Sequence, residues 1–289
     1  MEEESHAKLP HPFSDADEQK KSITLLLVSD IHLDTKKLEK LKLYFIEKFQ
    51  RRVHYVIASG DFDNIDNNNA KTSFDTTFYE NISNILSFLE FASVPVIYIP
   101  GNHDSPKLFK EKVHLTQHSI LVQRDAYELT EGLQIVGLGG SIPGYTEKEG
   151  QLNKVWEGYP YPNDTDFGED LKKVLDKHCC SEDVQSILMT HIGPYCSSTT
   201  VDMNENPEAP IYSGSKSLQQ AIVGGRYNVL TNIHGHTHAG VGRSNIRGIQ
   251  VINPGSLSMG DFGVLELVRE NVRKKWIIKQ MEFINLNAF

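Results

Sequence analysis

The sequence predicts an α/β fold in which two mixed β-sheets pack as a sandwich flanked by helices. Three observations point there. Up to Asp104 the chain alternates short apolar runs with amphipathic stretches at helical spacing, the order expected of parallel strands covered by helices. Beyond it come five further strand-like runs with fewer helices between them, enough for a second sheet. Finally, 289 residues with 39% hydrophobic and 23% charged content suit a globular chain with a real core.

Residues 1–21 are polar and acidic, so they read as a disordered tail and not as a secretory signal. Residues 22–289 read as a single domain, since no repeat and no Pro-, Gly- or Ser-rich linker divides them. ITLLLVS, from Ile23, is the first strand. KKLEKLKLYFIEKFQRR follows, with Leu38, Leu41, Phe45 and Phe49 on one helix face. YVIASGD is the second strand, DNIDNNNAK a loop, FYENISNILSFLEFA a second helix, and VPVIYIPGNHD a third strand entering a glycine turn. The later strands are LQIVGLGG, QSILMTH, YNVLTNIHGH, GIQVINPGS and FGVLELV. GSKSLQQAIVGG reads as a helix, with Ser213 or Ser215 as N-cap and Gly224 as stop.

Two stretches, 142–166 and 197–215, read as loops able to shape specificity. The first carries Tyr145, Trp156, Tyr159 and Tyr161, aromatics that either stack on a nucleobase or anchor the loop itself. The second starts soon after His191 and either meets substrate or stands clear of it.

Three cysteines without paired spacing argue against a disulfide framework and for a reducing, cytoplasmic setting. No apolar run reaches the roughly 18 residues of a membrane helix. A net charge of −9 disfavours nucleic acid as a partner, because long duplexes are held by basic surface.

The chemistry gathers at strand ends. DIH supplies Asp30 and His32, GDFDN supplies Asp61, GNHD supplies Asn102, His103 and Asp104, THIGP supplies His191, and GHTH supplies His236 and His238. In α/β sheets, functional groups collect outside the carboxyl ends of the strands. Single pieces such as D-x-H or GD are weak signals. GNHD and GHTH are each expected by chance in roughly one in a thousand chains of this length. Their joint occurrence, in this order, points to a metal site.

Each residue type has a task if that site holds two ions. On extended chain, Asp30 and His32 share one side. Asp61 can bridge two cations, one per oxygen; Asn102 offers a carbonyl oxygen, and His191, His236 and His238 offer imidazole nitrogens. Mixed nitrogen and oxygen donors suit Mn first, then Fe, Zn or Co, over Ca or Mg. Two carboxylates against two divalent ions leave positive charge for a hydroxide and an anionic substrate. His234 reads as a core histidine or a support for the ligands, and Asn253 as either a support or a simple turn residue. His54, His114, His118 and His178 fall outside the pattern.

In this order, DIH, GDFDN, GNHD, THIGP and GHTH resemble the calcineurin-like metallophosphoesterase superfamily, and NPGS at 253–256 resembles its branch of small bacterial cyclic-nucleotide phosphodiesterases. The resemblance implies Asp30, His32, Asp61 and His238 around one metal, and Asp61, Asn102, His191 and His236 around the other. It implies that His103 faces substrate to stabilise the transition state or protonate the leaving oxygen, with Asp104 orienting it. A hydroxide bridging the ions would attack phosphorus in line.

Departures narrow the substrate. The Ser/Thr protein phosphatases carry arginines after GD and GNH, where this chain has Asn64-Ile65 and Ser105-Pro106-Lys107. Purple acid phosphatases carry a tyrosine ligand where Asn64 stands. Without an arginine clamp, a small, nucleotide-like phosphodiester is the expected substrate. The alternatives are a phosphomonoesterase, a repair-type nuclease, which would want basic surface and a larger chain, and a non-catalytic scaffold like the retromer subunit, which lacks the histidine corresponding to His103.

Overall fold

Strands that are apolar on both faces organise the molecule. A computed structural model of the chain describes residues 22–49, 51–66, 77–148, 151–203, 209–271 and 274–289. The tail expected over 1–21 lies outside the described residues, as does most of the Asn-rich stretch beyond Asp66.

Numbered along the chain, the strands begin β1 (Ser22–Val28), β2 (Tyr55–Ala58), β3 (Val96–Tyr98), β4 (Ser119–Leu121), β5 (Asp125–Thr130), β6 (Leu133–Leu138), β7 (Gly144–Lys148) and β8 (Gln151–Trp156). They continue with β9 (Gln185–Thr190), β10 (Val201–Asp202), β11 (Ile211–Tyr212), β12 (Val229–Ile233), β13 (Gly242–Ile246), β14 (Ile249–Asn253), β15 (Asp261–Arg269) and β16 (Trp276–Asn285). The helices are α1 (Thr35–Glu47), α2 (Thr77–Leu89), α3 (Asp164–His178) and α4 (Lys216–Val223).

Two six-stranded sheets result, in the orders β16-β15-β1-β2-β3-β4 and β13-β14-β12-β9-β6-β5. Each has a parallel centre and an antiparallel edge: β1-β2-β3-β4 are parallel and β1-β15 antiparallel, while β14-β12-β9-β6 are parallel and β5-β6 antiparallel. Alternation along β1 explains the sandwich. Ile23, Leu25 and Leu27 point inward to Ile135, Ile187, Met189, Ile233 and Ile252 of the second sheet. Leu26 and Val28 point outward to Leu38 and Leu41 of α1 and Ile82, Leu86 and Leu89 of α2. Val136, Leu138 and Leu188 pack outward on Phe167, Leu171 and Val174 of α3, and on Leu218 and Ile222 of α4. Cutting an inward residue such as Leu25 to alanine should cost about 2–5 kcal/mol.

Local signals set the helix ends. Asp34 accepts from the Lys37 amide to start α1, and Asn163 from the Asp166 amide to start α3. Ser215, of the two serines considered, caps α4 by accepting from the Leu218 amide, and Gly224 ends it.

One part of the architecture differs from expectation. The stretches 142–166 and 197–215 are not independent loops: β7 and β8 form a hairpin, and β11 pairs with β7 and β10 to close a four-stranded sheet in the order β10-β11-β7-β8. Asp164, near the end of the first stretch, already begins α3. Among the described residues no helix is long and apolar enough to cross a membrane.

Candidate metal centre

The ends of β1, β2, β3, β9 and β12 all deliver their polar residues to one place. Past β1 the chain leaves extended geometry at once: Asp30 and His32 have φ +52° and +51°. The extended spacing expected of this pair is therefore corrected, and left-handed turns bring the two side chains together. Asp61 and His236 are also left-handed, at φ +55° and +64°. Each such residue costs of order 1–3 kcal/mol and persists where its surroundings impose it.

The imposing network is visible. The amide of Asp30 donates to the Gly60 carbonyl (2.9 Å), and those of Ile31 and His32 donate to the Asp61 carbonyl (2.8 and 3.1 Å). The turns after β2 and β3 meet so closely that a Cβ on Gly60 would lie 2.5 Å from the Gly101 nitrogen. Asp104 fastens them. Its fully buried carboxylate accepts from the amides of Gly101 (2.7 Å), Asp61 (2.9 Å), Phe62 (2.9 Å) and Asp63 (3.0 Å). The family resemblance implies that Asp104 orients His103. The structure gives its carboxylate this backbone task, and a carbonyl, that of Ile65, receives the Nδ1–H of His103 at 3.1 Å.

The donor atoms fall into two groups, Asp30, His32 and His238, and Asp61, His191 and His236, the atoms of each lying within 4.8 Å of one another. Nε2 of His238 is 3.2 Å from Oδ1 of Asp30 and 3.3 Å from Nε2 of His32. Oδ2 of Asp61 joins the groups, at 3.2 Å from Nε2 of His191 and 3.9 Å from Nε2 of His32. Its Oδ1 accepts the His103 amide at 2.8 Å, so a single carboxylate oxygen, and not one per group as expected, stands between them. Asn102 Oδ1 lies 3.1 Å from Nε2 of His191.

Supports fix the rings. His191 places Nδ1 2.7 Å from the Ser59 carbonyl, which turns Nε2 toward Asp61. His32 places Nδ1 2.7 Å from Oδ1 of Asn64, whose Nδ2 donates to the His32 carbonyl. Both oxygens of Asp30 accept the His236 amide (3.2 and 3.0 Å).

Burial and charge pull in opposite directions here. Burial favours a protonated Asp30, yet His238, His191 and His32 hold its carboxyl well below the usual range. Asp61 likewise resists burial and sits at about 2, owing to His191. Burial works to lower His191, but the Asp61 carboxylate raises it to about 9. Burial and then the His191 charge push His236 down to about 3. Burial and the Asp61 charge push Asp104 up to about 8 against its N–H donors.

This donor set fits divalent transition metals. Nε2 of His236 is buried with no hydrogen-bond partner, and Nε2 of His32 faces that of His238. With Nδ1–H given to Ser59, a neutral His191 presents a lone pair to the oxygens of Asp61 and Asn102. A cation relieves each of these like-with-like encounters.

Other residues emerge only from the folded chain. Ser256 Oγ donates to the Asp30 carbonyl (2.9 Å), while Asn253 Nδ2 donates to the carbonyls of Thr237 (2.9 Å) and Thr199 (3.3 Å). NPGS therefore braces the ligand loops from behind. His234 is fully buried, with Nε2 2.7 Å from Oγ1 of Thr199, which places it behind the site and outside both donor groups.

Fold and site thus define a class, an α/β sandwich with clustered metal donors at the strand ends. The chain belongs to the calcineurin-like phosphoesterase family, whose sequence profile matches residues 23–240. No curated protein sequence matches it. Among solved structures it is similar to TT1561 of Thermus thermophilus, at 19% identity and a TM-score of 0.55 over 91% of this chain and 99% of that one. It is also aligned with Phosphopantetheinyl Hydrolase (PptH) of Mycobacterium tuberculosis, at 15% identity and a TM-score of 0.49, over 82% of this chain and 91% of that one. At such identity the first likeness is one of fold. Family membership makes the chain a phosphoesterase.

Proposed function

We propose that the protein is a dinuclear metal-dependent phosphoesterase acting on a small, nucleotide-like phosphodiester. The observation that carries this is the position of Asp61 Oδ2 between two groups of nitrogen and oxygen donors. Asp30, His32, His238 and Asp61 would hold one ion, and Asp61, Asn102, His191 and His236 the other, with Mn the first choice and Fe, Zn or Co next. Two such ions supply an acidified water and charge neutralisation at phosphoryl oxygens.

The residues around them divide the remaining work. His103 sits beside His32, ring centroids 5.5 Å apart, and is half-buried at the edge of the donor groups. With its Nδ1–H given to the Ile65 carbonyl, the ring has Nε2 left to serve as proton donor to the leaving oxygen. Asp104 keeps the Asp61 and Gly101 turns rigid, so the donors are preorganised. The stretches after GD and GNH carry no arginine, which favours a singly charged diester over a phosphate dianion. The presence of His103 supports an enzyme over a scaffold. A cytoplasmic setting and a small-molecule partner belong to the same proposal.

Hydrolysis of bis-p-nitrophenyl phosphate against p-nitrophenyl phosphate, with added Mn²⁺, tests it. Preferential diester cleavage is expected. Faster monoester cleavage would replace the diester assignment with a phosphomonoesterase.

A further inference from the structure

His236 differs from His191 and His32 in how its ring is held. His191 and His32 are oriented by hydrogen bonds at Nδ1, to Ser59 and Asn64. Among the described residues the ring of His236 makes none, and its Nε2 is buried without a partner. Ligating histidines almost always depend on such a second bond to fix ring orientation. Two aromatic edges stand in its place. His191 meets the ring at a centroid distance of 5.1 Å and 61°, and Trp156 at 5.7 Å and 76°.

Trp156 comes from the end of β8, within the small sheet and far from GHTH in sequence. Its cross-strand partner is Gly144, where a Cβ would lie 2.2 Å from Cζ2 of the indole. Only glycine lets the ring settle there. The indole Nε1 is itself buried with no partner, so packing and not a hydrogen bond holds the indole in place. The same sheet also reaches the next residue of the ligand loop: Ser213, just past β11, shares a 2.7 Å hydrogen bond between its Oγ and Oγ1 of Thr237.

We propose that Trp156 is a positioning residue for His236, its ring replacing the kind of hydrogen bond that orients His191 and His32, and that the small sheet serves to place it. This rests on the metal reading given above. An aromatic that the sequence offers for stacking on substrate thus acts through a ligand instead.

The test is Mn²⁺ stoichiometry and affinity, by calorimetry and elemental analysis, for the full-length wild type, Trp156→Ala and Trp156→Phe, with folding followed by circular dichroism. Trp156→Ala should bind one of two ions roughly 10–100-fold more weakly and keep the other, and Trp156→Phe should recover most of the loss. Wild-type affinity for both ions in Trp156→Ala, or a phenylalanine variant as impaired as the alanine one, overturns the role. If Trp156→Ala does not fold, Trp276→Phe leaves Trp156 as the sole tryptophan. Its emission should then change as the second equivalent of Mn²⁺ binds, and unchanged emission overturns the role. A wild type that binds no Mn²⁺ defeats the metal reading itself, whereas two ions held equally by wild type and Trp156→Ala defeat only the part given to Trp156.

Discussion

Nε2 of His191 lies 3.2 Å from Oδ2 of Asp61, while its Nδ1 is 2.7 Å from the Ser59 carbonyl. A ring so placed must either carry a second proton or share a cation with the carboxylate. The raised His191 pKa, about 9, is the proton's answer to a site arranged for a cation.

Metal affinity should therefore depend on pH. Burial lowers the His191 pKa, but Asp61 overrides it, so below about pH 9 an ion must displace a proton from this ring. Apparent Mn²⁺ affinity should fall as pH is lowered from about 9 to about 6, with protons released on binding. Calorimetry in buffers of different ionisation enthalpy would show this, and pH-independent affinity would contradict it.

His103→Ala should lower turnover by roughly 10²–10⁴-fold while leaving both ions in place. The ring touches neither donor group by hydrogen bond and is held by Ile65. Metal analysis beside steady-state rates checks this; joint loss of metal and activity would make His103 a structural or ligand residue.

Asn64→Ala removes the acceptor that turns His32. Metal affinity should weaken by roughly 10–100-fold, with the fold intact by circular dichroism.

Gly235→Ala should destabilise the protein by about 1–3 kcal/mol, because its Cβ would fall 1.8 Å from Ser29 Oγ and 2.5 Å from Asp30 Oδ2. A lower Tm without added metal is expected, with weaker metal binding besides.

What was legible in the sequence was what periodicity and short motifs encode. The parallel strands, α1, α2 and the Ser215 cap of α4 follow from local patterns, and the donor residues from five strand ends. Four things were not legible. The left-handed turns at Asp30 and His32 arise from bonds to Gly60 and Asp61, some thirty residues away. The task of Asp104 depends on amides from two separate turns. The small sheet joins strands more than fifty residues apart in sequence, β7 and β11, and no local signal pairs Tyr145 with Tyr212. Helix α3 escapes the reading too, although Phe167, Leu171, Val174 and Leu175 show helical spacing; its start overlaps a stretch read as loop.

The most direct measurement is a Mn²⁺ titration of chelator-treated protein, counting bound ions while following bis-p-nitrophenyl phosphate hydrolysis. The two donor groups joined by Asp61 predict two ions per chain and activity that rises with the second. Full activity with one ion, or two bound ions and no hydrolysis of any phosphate ester, would contradict a dinuclear phosphoesterase.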